Sequence, residues 1–248
     1  YVANMNDSYW LTNPEQPLTG FASILGGEGQ PLSMRGQEGH RIAHELANAG
    51  ATSAKALADR VMQKTLEARA STADRFKVAL LDGACAKDQV DIRRACEVLR
   101  RWPDRADAND RGALLWDAFW TRVQKIPAKD LYAQPFSASA PLRTPLAIHA
   151  SDPRVAFALA GAVEDMARKG WALDMPLGQQ RFARSEGRKL PLFGGCDAEG
   201  YFTVACANDG DYTMDDRSHG NTYLQVCTST GAACRRARCS RTANVKPR

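Results

Sequence analysis

An α+β fold is predicted for this 248-residue chain by two changes of hydrophobic period. Between residues 33 and about 125 the apolar residues recur at helical spacing, and from Leu190 onward they alternate at the strand period of two. The helical stretch is set between strand-bearing ends. That order favours one α+β domain with a large helical excursion over two independent domains.

Residues 1–32 crowd turn formers (Asn13-Pro14, Gln16-Pro17, Gly26-Gly27, Gly29) around short apolar pieces and read as strand and loop. Leu57, Val61, Met62 and Leu66 then make one helical stripe. Ser71 or Thr72 is placed to cap the next helix, which carries Phe76, Ala79 and Leu80 and stops at Gly83. A third helix runs to Trp102 and must end before Pro103, which lacks an N–H and clashes with the preceding turn. A fourth starts near Asp110. Its Leu114, Leu115, Phe119, Trp120 and Val123 have core spacing.

A looser stretch follows with Pro127, Pro135, Pro141 and Pro145. Asp152 caps a helix with Pro153 at its first position, where a missing N–H costs nothing. Val155, Leu159, Val163 and Met166 line that helix and Gly170 closes it. The segments LPLF, YFTVAC and TYLQVC are the strand candidates of the C-terminal part.

Composition excludes several classes. No run of about 18 apolar residues exists to span a membrane as a helix, and the charged fraction of 25% is that of an ordinary globular chain. The formal net charge of +5 is local: six cations and no acid lie between Ala233 and Arg248, and without them 27 positive residues face 28 negative ones. A nucleic-acid binder carries its charge on a folded face, so nucleic acid is not the expected partner. The segment from 232 to 248 has neither helical nor alternating period and is expected to be a basic tail, disordered or out of frame, bounding a folded region 1–231. The rival reading is a non-catalytic helical binding module with a basic C-terminal arm.

Phosphate-binding, dinucleotide and Gly-x-Ser-x-Gly motifs are missing, and the seven cysteines include no Cys-x-x-Cys pair. His40 and His44 share a helix face at i, i+4, but no third ligand is evident, so a solvated face is expected rather than a metal site. Cys85 and Cys96 are either a disulfide or two buried thiols. Asp209, Asp211, Asp215 and Asp216 lack EF-hand spacing and read as a charged loop between strands. Chemistry is concentrated in the first segment, where Asn4, Asn6, Asp7 and Ser8 precede Tyr9-Trp10. A carboxamide N–H is a good oxyanion donor, and an Asx turn is the alternative use of the same residues.

YVANMNDSYWLTNPEQPLTGF resembles a segment of the penicillin-acylase family of N-terminal nucleophile hydrolases, in the branch holding acyl-homoserine lactone, aculeacin and cephalosporin acylases. SMRGQ at 33–37, DRGALLWDAFW at 110–120, PLRTP at 141–145, ALDMPLGQQ at 172–180, LPLFGG at 190–195 and HGNTYLQV at 219–226 continue the resemblance in order. It implies part of an αββα sandwich and cleavage of an N-acyl amide, such as an acyl-homoserine lactone, without metal or organic cofactor. It also implies a periplasmic or secreted enzyme. By resemblance Asn4 is the oxyanion donor, Asn6 and Asp7 hold the segment, and Arg35 lies near the site. The N-terminal serine nucleophile is expected upstream of Tyr1. The chain then corresponds to the C-terminal portion of a β subunit, inactive alone, whose partners are the α subunit and the nucleophile-bearing part of β.

Overall fold

The computed structural model describes residues 1, 3–50, 53–86, 90–207, 213–215, 218–221, 223–230 and 233–240. Two 3-10 turns, Tyr9–Leu11 and Ser23–Leu25, precede α1 (Met34–Asn48), α2 (Ala54–Leu66), α3 (Ser71–Asp82), α4 (Val90–Arg101), α5 (Ala113–Val123) and the single turn α6 (Ala128–Leu131). The hairpin β1 (Tyr132–Gln134) and β2 (Leu146–Ile148) leads into α7 (Pro153–Arg168) and the short α8 (Leu177–Gln180). Three more hairpins close the chain: β3 (Phe182–Ser185) with β4 (Arg188–Pro191), β5 (Ala205–Cys206) with β6 (His219–Gly220), and β7 (Leu224–Thr230) with β8 (Ala233–Ser240). The class is α+β. Among the described residues every sheet has two antiparallel strands, so the stacked sheets of an αββα sandwich are not formed there.

The core is built around α5, which is buried on nearly every face from Ala113 to Trp120 and packs along α7. Its aromatic residues form a column: Phe76 stacks on Trp120 with ring centres 5.4 Å apart, and Trp116 on Trp120 at 5.9 Å. Each fully buried aromatic of this kind is worth about 3–5 kcal/mol against alanine. α7 begins as its sequence demands, with the Asp152 carboxylate accepting the Arg154 N–H and Pro153 in the first turn. The β3–β4 turn has Glu186 at φ 50° and Gly187 at φ 75°. Two positive φ values in a two-residue loop define the type I′ turn that matches strand twist.

Several expectations need correction. Residues 3–32 contain no strand; they run as turns and loop, with Trp10, Leu11 and Leu32 as a small satellite core. The reason is local competition: Asn4 and Asn13 side chains accept the Asn6 and Glu15 N–H groups that a ladder would use. Neither Ser71 nor Thr72 caps α3, whose N-cap is Ala70. The Thr72 hydroxyl instead donates to the Glu199 carbonyl at 2.7 Å and accepts the Trp116 indole N–H at 3.0 Å. The α2 stripe is only partly covered, since Leu57 and Leu66 are exposed and Ala58 alone is buried. YFTVAC contributes just its last two residues to a strand. Residues 233–240 pair with β7 despite their lack of alternation, because ladder hydrogen bonds are made by the main chain. Asp209, Asp211 and Asp216 lie outside the described residues.

The structure decides the cysteine question for Cys85 and Cys96, which are disulfide-bonded with Cα atoms 5.8 Å apart. A second bridge, Cys196–Cys206, was not anticipated; it ties the start of the 3-10 turn Asp197–Glu199 to β5 with Cα atoms 4.6 Å apart. Beneath it lies a buried charged group. The Asp117 carboxylate accepts from Arg181 at 2.8 Å and from the Tyr201 hydroxyl at 2.9 Å, joining α5 to the C-terminal hairpins. No described helix is long and apolar enough to cross a membrane.

Candidate active site

The four residues singled out in the sequence are brought together. Asn4 Oδ1 accepts the Asn6 N–H at 2.9 Å, which is the Asx turn. Asn6 takes φ 64°, a left-handed conformation that asparagine tolerates better than most residues. This turn restrains the Asn4 carboxamide by engaging Oδ1, and the Nδ2 hydrogens are on the other side of the planar amide. Asn4 itself is exposed.

Arg35 clamps the turn from α1. Its guanidinium donates to the Met5 carbonyl at 2.8 Å and to Asn6 Oδ1 at 3.1 Å, while its Nε donates to Asp197 Oδ1 at 2.8 Å. Position 35 is the second residue of α1 because Ser33 is the N-cap, its hydroxyl accepting the Gly36 N–H at 2.9 Å. Asp7 binds the same helix end, accepting the Ser33 N–H at 3.1 Å and the Ser33 hydroxyl at 3.3 Å. A carboxylate is favoured at a helix N-terminus by the exposed N–H groups and the dipole. Its approach requires glycine, because a Cβ on Gly36 would run into the Asp7 carboxylate.

A cavity of about 180 Å³ opens beside this turn, lined by Asn4, Met5, Asp7, Tyr9, Leu32 and His40. His40 is therefore not on a solvated face. It is buried, with its Nδ1 3.3 Å from the Tyr1 hydroxyl, and burial pushes its pKa down against the pull of the Asp7 charge. His44, one turn on, does face solvent, 3.8 Å from Glu15. The described residues contain no group of three or more His, Cys, Asp or Glu side chains arranged to hold a metal. A broader groove of about 900 Å³ between α1, α2 and α3 is lined by Arg41, Lys64, Glu67, Arg69 and Asp74. Its cations stand in ion pairs, Arg41 with Glu38, Lys64 with Glu45, Arg69 with Asp74 and Arg105 with Asp110.

Sequence reasoning missed Ser33, His40 and Asp197 as parts of this site. The Ser33 cap was readable from a serine placed just before a helical period. No sequence signal marks Asp197, which reaches Arg35 across 162 positions.

A model of the penicillin amidase family matches residues 1–240, nine residues past the boundary expected at 231. The acyl-homoserine lactone acylase PvdQ of Pseudomonas savastanoi pv. phaseolicola is 27% identical over 234 residues, covering 92% of this chain and 30% of the relative. Aculeacin-A acylase of Actinoplanes utahensis is 31% identical over 216 residues, covering 82% of this chain and 26% of the relative. PvdQ of Pseudomonas fluorescens is 26% identical over 233 residues, again 92% of this chain and 29% of the relative. The chain thus spans less than a third of the length of these relatives. With the match running through the Asn4–Asp7 turn, α1 and the hairpins alike, the chain belongs to the penicillin amidase family.

Proposed function

We propose that this chain supplies the oxyanion side of an acylase that hydrolyses the amide of an N-acyl substrate, with Asn4 Nδ2 as donor. The observation that carries the reading is the double restraint on Asn4: its own Asx turn, and the Arg35 clamp on the two residues that follow. A donor held before the reaction needs no reorganisation as charge develops, and losing one typically costs about 10²–10³ in rate.

The remaining chemistry belongs to a serine at the N-terminus of a segment upstream of Tyr1. Its Oγ attacks the amide carbon while its own α-amine, with a pKa near 8, takes the hydroxyl proton. The carbonyl electron pair moves to oxygen, where Asn4 donates. As the carbon–nitrogen bond breaks, the proton passes to the leaving amine and an acyl-serine ester remains. Water then attacks the ester and releases the carboxylic acid. The reaction calls on no metal or organic cofactor. In this reading the upstream part also completes an αββα sandwich, and the isolated chain turns nothing over.

An acyl-homoserine lactone is the first substrate proposed, which would make the enzyme quorum-quenching; a lipopeptide or β-lactam amide, with a role in antibiotic chemistry, is second. The relatives' names support that order. Two disulfides support a periplasmic or secreted location, since such bridges persist in oxidising compartments. The test is Asn4→Ala in the complete enzyme, assayed for release of acid from an N-acyl amide. A fall in kcat of about 10²–10³ with the fold intact is expected. Wild-type turnover would remove Asn4 from the mechanism.

A further inference from the structure

The loop between the Asn4–Asp7 turn and α1 is built in an unusual way. From Gln16 to Gly27 it contains no charged residue, in a chain where one residue in four is charged. Within eight positions it turns four large apolar side chains outward: Leu18, Phe21, Ile24 and Leu25, with Ile24 91% and Leu25 64% exposed. Single exposed apolar residues need no explanation, but a contiguous group marks a surface meant to be covered.

The loop is also held in place. The Glu28 carboxylate accepts the Gly20 and Phe21 N–H groups, both at 3.0 Å, and the Tyr9 hydroxyl. The Phe21 ring packs edge-on to Tyr9 with centres 5.6 Å apart, and the Leu18 N–H donates to the Trp10 carbonyl at 2.9 Å. Ser8 adds a bond to the Gly27 carbonyl. The apolar face is thus presented by a braced loop fastened to Ser8, Tyr9 and Trp10, the residues that directly follow the site turn.

We propose that this loop is the docking surface for the nucleophile-bearing part of the same acylase, an inference that rests on the function proposed above. Two observations select that occupant. The relatives are more than three times as long as the stretch matched here, so most of the enzyme is available to cover it. An oxyanion donor must also lie about 3 Å from the oxygen that the nucleophile creates. A polypeptide carrying that nucleophile therefore comes against Asn4, and the loop fastened to the next residues lies in its path.

The test is cysteine accessibility. Ile24→Cys is placed in this chain alone and in the complete enzyme, and maleimide labelling of the peptide holding residue 24 is followed by mass spectrometry, referenced to the denatured protein. Rapid labelling in the chain alone and at least tenfold slower labelling in the complete enzyme are expected. Equal rates overturn the proposal. Protection in the chain alone that disappears on dilution also overturns it, by making a second copy the occupant. Ile24→Asp with Leu25→Asp provides a second measurement: in the complete enzyme the doubly charged loop should raise hydrogen exchange at residues 16–27 to the rate seen in the chain alone, and unchanged protection counts against docking here. Activity of the unmodified complete enzyme separates the two readings. A protected loop in an inactive enzyme overturns the function and leaves the docking surface, whereas an exposed loop in an active one does the reverse.

Discussion

Arg35 Nε donates to Asp197 Oδ1 at 2.8 Å, so a helix start and a 3-10 turn 162 positions apart share one ion pair at the candidate site. Asp197 reaches the site turn through Arg35. It orients the guanidinium, whose other nitrogen holds the Met5 carbonyl and Asn6. In the complete enzyme, Asp197→Asn should lower kcat about 10- to 100-fold through misplacement of Asn4, with KM nearly unchanged. Asp197→Glu should recover part of the loss. A KM effect without a kcat effect would mean that Asp197 serves binding rather than positioning.

Gly36 sets how closely Asp7 approaches α1, because any Cβ there would occupy the space of the Asp7 carboxylate. Gly36→Ala should therefore destabilise the chain by about 1–3 kcal/mol, as overpacking does, even though alanine is the better helix former. Urea unfolding of the two proteins measures it. Neutral or stabilising behaviour would show that the N-terminal segment is not held where the hydrogen bonds to Ser33 place it.

What was legible in the sequence follows from range. α4, α5 and α7 were readable because each is defined by its own period or by a proline or cap at its edge (Pro103, Asp152). The first segment was misread as part strand because its asparagines compete with the ladder, a choice made by side-chain hydrogen bonds that periodicity does not register. His40 was placed on a solvated face because its i, i+4 relation to His44 says nothing about which of the two lies under Tyr1. Asn4, Asn6 and Asp7 stand out in the sequence as a polar cluster and Arg35 through the resemblance, whereas their convergence is a tertiary fact. Asp197 and the Cys196–Cys206 bridge depend on contacts with no local signature.

The two disulfides close loops of ten and eleven residues, and each should contribute about 2–3 kcal/mol by restricting the unfolded chain. Alkylation before reduction should leave Cys85, Cys96, Cys196 and Cys206 unlabelled, and alkylation after reduction under denaturing conditions should label all four. Loss of the Cys196–Cys206 bridge should also loosen the turn that carries Asp197, which hydrogen exchange at residues 196–206 would report. Labelling of these four thiols without reductant would disprove the bridges.

Asp117 and Arg181 are a fully buried pair, each about 1% exposed at the side chain. Burial pushes the Asp117 carboxyl up while the Arg181 charge pulls it down, and Tyr201 adds a hydrogen bond to the same carboxylate. Asp117→Ala would leave the guanidinium without its counter-charge in the core. A loss of about 3–5 kcal/mol is expected, measurable by denaturant unfolding. A loss below about 1 kcal/mol would mean that water reaches the pair.

Glu199 makes stability depend on pH in an unusual direction. Its side chain is buried, its Oε2 has no hydrogen-bond partner, and burial together with the Asp117 charge pushes its pKa up to about 8. In the unfolded chain a glutamate titrates near 4.3. Between those values the folded protein holds a proton that the unfolded chain has released, so the slope of unfolding free energy against pH is negative. Stability from this group is complete below about pH 4, declines through neutrality and levels off once the pH passes about 8. Salt-bridged carboxylates give the opposite trend. Glu199→Gln keeps the shape and removes the titrating proton, so it should flatten the decline between pH 5 and 8. Denaturant unfolding of both proteins across that range is the measurement. An unchanged slope in Glu199→Gln would place the titrating group elsewhere.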